Sequence, residues 1–444
     1  MQYSIPDQVT VILDKFAQAN FQIYIVGGAV RDLLMSREVT DWDFTTDAKP
    51  AEILQLFPDA FYTNKFGTVG LPSNLGIMEI TTMRKEGIYK DHRHPIEVSW
   101  TNQLKEDLSR RDFTINAMAL SQGGELTDLY QGQQDLENKL IRAVGDPNLR
   151  FFEDALRMIK AFRMVSQIEF DIEKNTFESI IKNGSLIGEI AWERIRDELF
   201  KLLSGMNPYI SLVKMKESGV LKIILPEIES CFGVVQEGPK HDRVYDIGEH
   251  SLLTLKYCPS PDPLVRLAAL LHDIGKVETM KVAADGNVTF YQHDLVGANQ
   301  IKQITRRLNL SNEQTDKLYR LVRWHLFTVD ENLTDKAIRR FIKNVGVENI
   351  EDMLNLRIAD RLGGGTQKAV SWRMEKFQER IKQVLQQPFS IADLKINGKD
   401  IMDTLNIQPG KQVGDILQKL FSEVEDNSSK NTHDYLLKRI REFS

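Results

Sequence analysis

A short stretch near the N-terminus combines residue types that bind phosphates. Residues 21–26 form an apolar run rich in Ile, Val, Phe and Tyr and predict a buried strand. Two glycines follow, and residues 29–35 predict the start of a helix. Backbone N–H groups converge at such a strand–glycine–helix junction, so it predicts an anion site that includes Gly28 and the charge of Arg31.

Carboxylates follow this junction in the chain. Asp41 and Asp43 lie on a second predicted strand, residues 41–46, and residues i and i+2 of a strand share a face. Carboxylate oxygens suit Mg²⁺, so the pair predicts a magnesium site for phosphoryl transfer beside the phosphate site. Glu79, on a strand predicted over residues 77–82, supplies a third carboxylate if the two strands are neighbours.

A second motif, residues 110–119, reads RRDFTINAMA. Two arginines ahead of a short predicted helix suit a triphosphate, which makes Arg111 a candidate phosphate ligand. Asp112 can accept hydrogen bonds from ribose hydroxyls, and Asn116 lies four residues further on the same predicted helical face. An Arg-Arg-Asp run alone is usually structural, so the prediction depends on its combination with the first motif.

Residues 146–163 predict one helix on which Asp154 and Arg157 are i, i+3 neighbours, with Lys160 and Arg163 continuing that face. A carboxylate beside a guanidinium presents an acceptor next to donors. Cytosine and adenine each offer an amino donor beside a ring-nitrogen acceptor, and both fit this pair. Uracil and guanine present the reverse order and would leave buried groups unpaired. The pair can therefore select C and A without a nucleic-acid template.

These motifs together resemble the nucleotidyltransferase signature of the DNA polymerase β superfamily. The version here, GGAVRDLL followed by DWDF, is similar to that of the class II tRNA nucleotidyltransferases and bacterial poly(A) polymerases. Residues 153–157 match the EDxxR motif of that family, whose members use protein side chains as the template. Lys160 stands where close relatives often have Arg, which puts a bidentate contact there in question. Residues 192–195 resemble a later family element, and no role is predicted for them.

The resemblance implies an activity and a set of site residues. The tRNA 3′-hydroxyl would attack the α-phosphate of CTP or ATP, and C, C and A would be added without a template. Asp41, Asp43 and Glu79 would hold Mg²⁺, while Asp112 would contact ribose. The nucleotide would be bound by Gly28, Arg31, Arg111, Asp112, Asn116, Asp154, Arg157, Lys160 and Arg163.

The polar segment 84–95 predicts a loop between strands. In the family a similar loop is needed for the final A addition, and enzymes that add only C lack it. Its presence favours an enzyme able to add A.

The C-terminal half predicts a second site. The string HDIGK at residues 272–276, after an apolar helix over residues 264–271, resembles the HD superfamily of metal-dependent phosphohydrolases. Imidazole and carboxylate ligands suit a transition metal such as Ni²⁺, Mn²⁺ or Fe²⁺. The superfamily frame is matched by His250, His272, Asp273 and Asp360, and a second metal position by His293 and His325. Some related domains remove phosphates or open 2′,3′-cyclic phosphates and others are inactive, so a hydrolytic side activity stays open.

Length and composition set the domain organisation. A chain of 444 residues is too long for one core. We predict an α+β fold with a polymerase-β-like head of mixed sheet and helices, followed by an elongated helical body that contains the HD domain. The predicted domains are a head over residues 1–146, a neck over 147–225, an HD domain over 226–375 and a helical tail over 376–444 that contacts tRNA.

Net charge, cysteine content and the length of apolar runs bear on the partners and the cellular location. The net charge of −6 argues mildly against a nucleic-acid binder, but basic residues cluster over residues 305–344. Two cysteines without a paired spacing, an N-terminus without a signal pattern and the absence of long apolar runs predict a cytoplasmic protein without membrane contact. Protein partners are not indicated.

Three alternatives remain open from the sequence. Within the same class, the chain can be an enzyme that adds only A or a poly(A) polymerase, because these share the head motifs. It can also be chiefly an HD phosphohydrolase whose head docks RNA, although the intact Asp-x-Asp pair argues against this. An RNA-binding module without chemistry would not need two sets of metal ligands.

Overall fold

The computed structural model describes residues 4–64, 67–87, 98–236, 246–386 and 391–443. The chain divides into two compact units. The first comprises residues 1–234 with 261–263 and 304–310, and the second comprises residues 235–260, 264–303 and 311–444. None of the helices in the described ranges is long and apolar enough to span a membrane.

The first unit begins with a mixed α/β region. Its elements are α1 (Asp7–Gln18), β1 (Ile23–Val26), α2 (Gly28–Leu34), β2 (Asp43–Thr46), α3 (Pro50–Leu56), β3 (Phe61–Asn64), β4 (Thr68–Ser73), β5 (Gly76–Thr82), β6 (Arg84–Glu86), β7 (Val98–Trp100), α4 (Leu104–Ser109), β8 (Met118–Leu120), β9 (Leu126–Asp128), α5 (Gly132–Glu137) and β10 (Leu140–Ile141). The predicted mixed sheet with helices is confirmed.

The main sheet of the described residues has seven strands in the order β3-β4-β5-β2-β1-β8-β9. The pair β2–β5 is parallel and the other pairs are antiparallel. One face packs on α1, whose apolar residues Val9, Ile12 and Phe16 recur at helical spacing and are all buried. Phe44 and Ile80 point into this core from β2 and β5. Their neighbours Asp43 and Glu79 therefore point to the opposite face.

The first unit continues as helices. These are α6 (Pro147–Glu153), α7 (Leu156–Ile168), α8 (Lys174–Asn183), α9 (Trp192–Leu203), α10 (Pro208–Glu217), α11 (Val220–Ile224) and α12 (Pro226–Glu229), with the short strand β11 (Asp171–Ile172) paired to β10.

The single helix predicted over residues 146–163 is wrong, because the chain forms two helices there. Asp154 ends α6 in an extended conformation, with φ −140° and ψ 101°. Its Oδ1 accepts the backbone N–H of Leu156 at 3.2 Å, at the start of α7. An aspartate that bonds nearby backbone N–H groups competes with helix continuation, which explains the break.

The rest of the chain is mainly helical, as predicted. Its elements are α13 (Ile247–Lys256), α14 (Pro263–Leu271), α15 (Lys276–Thr279), β12 (Lys281–Val282), β13 (Val288–Thr289), α16 (His293–Arg307), α17 (Asn312–Arg323), α18 (Asp335–Val345), α19 (Ile350–Gly363), α20 (Trp372–Leu385), α21 (Gly398–Leu405), α22 (Lys411–Asp426) and α23 (His433–Arg441). The fourfold domain division stays a prediction.

Candidate functional site

The three predicted carboxylates of the head lie together on the open face of the sheet. Asp43 on β2 and Glu79 on β5 are directly opposite in the parallel register. The backbone N–H of Glu79 donates to the carbonyl of Trp42 at 3.1 Å. Asp41 lies two residues before Asp43, the first residue of β2, and the intervening Trp42 is buried, as alternation requires.

The closeness of these carboxylates affects the ionisation of Asp43. Burial raises the pKa of Asp43 to about 6, against the opposing charge of Arg111, and the Glu79 and Asp41 carboxylates add to the rise. An acidic group whose ionisation is disfavoured in this way gains when a divalent cation binds, because the cation favours its charged form.

The glycine turn brings the phosphate-binding candidates to the same place. Gly27 has φ 73°, and a Cβ there would lie 3.3 Å from both Arg111 Nη1 and Asp43 Oδ2. Glycine at this position thus allows the backbone to approach the arginine and the carboxylate closely. Arg31 is fixed by Asp32, to which its Nε donates at 2.9 Å, and by Asn116 Oδ1 at 3.0 Å from its Nη1.

Arg111 is positioned by a carboxylate that the sequence reading missed. Asp107 is fully buried and accepts hydrogen bonds from Arg110 Nε at 2.9 Å, Arg111 Nη2 at 3.3 Å and the Thr45 hydroxyl at 3.1 Å. Burial by itself would raise the pKa of Asp107, but the two arginines lower it below its ordinary value. Asp107 lies on α4, three residues before Arg110 and four before Arg111, and this spacing is the one sign of the pairing in the sequence.

Asp112 and Asn116 contact each other near this site. The predicted helix is a single 3₁₀ turn, Thr114–Asn116. Asp112 Oδ1 accepts the N–H of Phe113 at 2.8 Å and Asn116 Nδ2 at 3.3 Å. Burial would raise the pKa of Asp112, but the charges of Lys160 and Arg157 together with these hydrogen bonds lower it overall. Asp112 is therefore an ionised acceptor.

A cavity of about 650 Å³ joins these groups. That volume is within the range of small-molecule sites. Its walls include nine predicted or neighbouring polar residues: Gly28, Arg31, Asp32, Asp41, Asp43, Arg111, Asp112, Asn116 and Arg163. They also include Arg37, Gln167, Lys201 and Met206, which no motif in the sequence indicated.

The predicted base-reading pair has other partners. Asp154 pairs with Arg194, whose Nη2 lies 3.2 Å from Oδ2. Arg157 is buried and donates to Glu153 Oε2 at 2.7 Å and to the carbonyl of Arg110 at 2.9 Å. The common helical face expected for the pair is absent because the helix breaks at Asp154. The sequence reading missed the roles of Glu153 and Arg194.

The polar loop predicted over residues 84–95 is only partly described. Its first residues form β6, which pairs with β7. Residues 88–95 lie outside the described residues, and the prediction about A addition stays a prediction.

The predicted ligands of the HD site form one buried cluster in the second unit. His250 Nε2 lies 3.2 Å from His272 Nε2, and His293 Nε2 lies 3.3 Å from His325 Nε2. Asp273 lies between the two histidine pairs. Its Oδ2 is 3.2 Å from His272 Nε2, and its Oδ1 is 3.3 Å from His293 Nε2. Asp360 Oδ1 is 3.2 Å from His250 Nε2.

The hydrogen bonds of the histidine rings in this cluster fit metal ligation. The Nδ1 atoms of His272, His293 and His325 lie 3.0, 2.8 and 2.7 Å from backbone carbonyls. A carbonyl fixes the proton on Nδ1 and leaves the Nε2 lone pair for a metal. Burial would raise the pKa of Asp273, but His272 and Lys276 hold it well below its ordinary range. Two ligand groups result: His250, His272 and Asp273, and Asp273, His293 and His325.

Comparison with known proteins identifies the family. Three family models match, described as "Poly A polymerase head domain" over residues 23–142, "Probable RNA and SrmB- binding site of polymerase A" over 169–232 and "tRNA nucleotidyltransferase domain 2" over 289–440. The CCA-adding enzyme of Ligilactobacillus salivarius is 31% identical over 445 residues, covering 99% of this chain and 98% of the relative. This chain belongs to the CCA-adding enzyme family. It is therefore a nucleotidyltransferase, as the motifs predicted.

Other CCA-adding enzymes agree with this assignment. That of Lactobacillus helveticus is 46% identical over 199 residues, or 45% of this chain and 49% of the relative. The Bacillus stearothermophilus CCA-adding enzyme in complex with CTP superposes with a TM-score of 0.72 at 23% identity, covering 98% of this chain and 97% of that one. The Thermotoga maritima CCA-adding enzyme complexed with tRNA gives 0.62 at 21% identity, covering 100% and 97%. These structures share the fold with this chain.

Proposed function

We propose that this CCA-adding enzyme adds C, C and A to the 3′ end of tRNA from CTP and ATP at the cavity of the first unit. The observation that supports this most strongly is the register of Asp43 and Glu79 on adjacent parallel strands. Asp41 and Asp43 line the same cavity as Gly28, Arg31 and Arg111, which supports a shared site for metal ligands and phosphate ligands.

Asp41, Asp43 and Glu79 would hold Mg²⁺. Held by these carboxylates, the ion would supply the positive charge that lowers the pKa of the attacking hydroxyl and offsets the charge of the pyrophosphate. Gly28, Arg31 and Arg111 bind the triphosphate. Arg111 is held in place for this by Asp107, and Arg31 by Asp32 and Asn116. Both guanidiniums are pre-ordered before the substrate enters, which reduces the entropy cost of binding.

Asp112 and Asn116 serve the ribose. Because Asp112 is ionised and already accepts two hydrogen bonds on Oδ1, its Oδ2 offers the acceptor for a hydroxyl. Burial would raise the pKa of Asp112 and the charge of Lys160 helps to lower it, which supports a place for Lys160 beside the ribose site. Arg163 lies on the cavity and is 3.3 Å from Glu198.

Base selection is assigned to Asp154 and Arg157. In the structure these side chains contact Arg194 and Glu153. Reading a base edge therefore requires both residues to exchange these partners for the donor and acceptor of cytosine or adenine. Such an exchange would let one site accept two bases of different size.

Product sizing tests the function. A tRNA that ends at the discriminator base is incubated with each nucleoside triphosphate singly and in pairs. Addition of three nucleotides from CTP and ATP supports CCA addition. Use of ATP alone on a tRNA ending in CC supports the A-adding enzyme, unlimited A tailing supports the polymerase, and no addition at all contradicts the proposal.

A specific observation favours a second activity at the HD cluster. Asp273 presents one carboxylate oxygen to each histidine pair, so two transition-metal ions such as Ni²⁺, Mn²⁺ or Fe²⁺ would share it. We propose that this centre hydrolyses phosphate monoesters or 2′,3′-cyclic phosphates. Asp273→Ala should abolish hydrolysis of cyclic CMP and leave nucleotide addition intact. Hydrolysis at the wild-type rate in that variant would exclude this centre.

The remaining assignments concern tRNA binding and location. We propose four domains, namely a head over residues 1–146, a neck over 147–225, an HD domain over 226–375 and a tail over 376–444. A cavity of about 740 Å³ between α18 and α22 is lined by Lys336, Arg340 and Lys343 together with Phe421. Its basic wall suits the phosphate backbone of tRNA. We propose a cytoplasmic location, which the tRNA substrate and the reduced thiols of Cys231 and Cys258 support.

A further inference from the structure

Four strands place a row of residues on the open face of the sheet. In the registers, Asp43 is opposite Glu79, Glu79 is opposite Gly70, and Gly70 is opposite Phe61. Residues directly opposite each other point to the same side of a sheet. The row that contains Asp43 and Glu79 therefore continues across the sheet, through Gly70, to the aromatic ring of Phe61 on the edge strand.

The end of this row is apolar and exposed. Phe61 is 44% exposed and Ile77 is 59% exposed. Ile77 precedes Glu79 by two residues on β5, so it shares the face, and Pro72 lies opposite Ile77 on β4. Phe61, Pro72 and Ile77 are called the apolar shelf below.

Gly70 keeps the shelf flat. A Cβ at Gly70 would lie 2.8 Å from Phe61 Cζ and 3.2 Å from Ile77 Cγ2. The absence of a side chain lets the phenyl ring lie over the strand beside Ile77. The surface that results is a flat apolar patch next to Glu79, with one ring face toward solvent.

The order of the strands places the shelf on one side of the reaction. The phosphate-binding turn follows β1, on one side of β2, and Glu79 lies on β5, on the other side. The attacking and leaving oxygens of a phosphoryl transfer are roughly in line. With the pyrophosphate on the β1 side of Asp43, the attacking 3′-oxygen must approach from the β5 side. Ile77 is about 7 Å along β5 from Glu79, so the shelf borders this approach.

We propose that the apolar shelf binds the terminal nucleotide of the tRNA acceptor strand, with Phe61 stacking on its base. This inference depends on the function proposed above. The terminal base changes during the reaction, from the discriminator base to C and again to C, so its subsite must accept different bases. A stacking surface does this because every base has a π-face, whereas a hydrogen-bonding pocket would select one.

Steady-state kinetics with separate substrates tests the shelf. Phe61→Leu removes the ring and keeps apolar cover over Gly70, and Phe61→Tyr keeps the ring. We expect Phe61→Leu to raise the KM for tRNA by roughly 5- to 100-fold, with the KM values for CTP and ATP and the kcat nearly unchanged. Phe61→Tyr should resemble the wild type. Ile77→Thr retains a β-branched residue and should raise the KM for tRNA by a smaller factor.

A matched control and a direct readout complete the test. Val11 is 60% exposed and lies on α1, which packs with Phe44 and Ile80 on the other face of the sheet, so Val11→Thr should leave all constants unchanged. A tRNA that ends in 2-aminopurine should lose fluorescence on binding the wild type and Phe61→Tyr, but much less on binding Phe61→Leu.

The two proposals fail in different ways. If the wild type adds no nucleotide to tRNA, the proposed function is wrong. If the wild type adds nucleotides while Phe61→Leu and Ile77→Thr keep the wild-type KM for tRNA and the wild-type quenching, the shelf does not bind the acceptor end and only this inference is overturned.

Discussion

The raised pKa of Asp43 predicts a measurable change of stability with pH. Burial, opposed by Arg111 and reinforced by Glu79 and Asp41, raises this pKa from 3.8 to about 6. A folded-state carboxyl with a raised pKa keeps its proton after the unfolded chain has lost it. Its contribution to stability is therefore present below pH 4 and is lost as the pH rises through 6. At 1.36 kcal/mol per pH unit, the loss is about 3 kcal/mol.

Asp43→Asn removes the titrating group and keeps its shape. We expect the free energy of unfolding of this variant, relative to the wild type, to increase by about 3 kcal/mol between pH 4 and pH 7.5 in the absence of divalent ions. Added Mg²⁺ should stabilise the wild type at pH 7.5 by binding the native carboxylates, and should stabilise the variant much less.

Denaturant unfolding monitored by tryptophan fluorescence at several pH values, with EDTA or with Mg²⁺, measures both effects. Asp59→Asn is the control, because Asp59 is an exposed carboxylate of the same unit and its replacement should give a flat difference. A flat difference for Asp43→Asn, or an equal response of wild type and variant to Mg²⁺, would refute the reasoning that Asp43 is a strained metal ligand.

Four further predictions concern the two sites. Asp41→Ala should abolish incorporation while CTP still binds in equilibrium dialysis; normal turnover would contradict the metal assignment. Arg157→Ala should reduce discrimination against UTP and GTP by roughly 10- to 100-fold in single-nucleotide incorporation, and unchanged selectivity would remove the templating role. Asp107→Ala leaves the half-buried Arg110 and Arg111 without the carboxylate they share and should destabilise the protein by roughly 1–3 kcal/mol while raising the KM for both triphosphates; a change in stability without a change in KM would show that Arg111 does not depend on Asp107. His325→Ala should lose one metal ion and Asp273→Ala should lose both, as measured by inductively coupled plasma emission spectroscopy. Equal metal contents in the two variants would contradict a carboxylate shared by two metal ions.

Local patterns predicted much of the head. The apolar run of β1, the glycine turn and the position of Asp43 follow from alternation and from glycine geometry, both of which act over a few residues. The sequence alone does not predict that the strands of Asp43 and Glu79 are neighbours, because strand order is a long-range property. In the structure the two strands are neighbours, because β2 and β5 pair in parallel.

The HD ligands were also accessible from the sequence, although they lie far apart in it. Their identity came from family resemblance, since six residues spread from His250 to Asp360 carry no periodic signal. The structure adds what no spacing predicts, namely that Asp273 lies between two histidine pairs. The metal and the activity of this centre stay predictions.

Asp107 shows why some groups could not be found. On α4 it reads as an ordinary acidic residue near two arginines, a pattern typical of solvated helices. Its burial depends on Thr45 of β2, which reaches its Oδ2 from a strand far away in the chain. Only tertiary packing distinguishes such a carboxylate from an exposed one.

The break at Asp154 has a consequence for base selection. Helical periodicity predicted Asp154 and Arg157 on one rigid face, which would form a fixed template. Instead Asp154 ends α6, accepts the N–H of Leu156 and pairs with Arg194, while Arg157 is on α7 and pairs with Glu153 of α6. The two groups thus belong to different sides of a helix junction, and each has a charged partner that holds it. A junction can change its angle with small dihedral changes, whereas a continuous helix cannot. The separation of the two groups is therefore adjustable, which supports the proposal that they select first cytosine and later adenine.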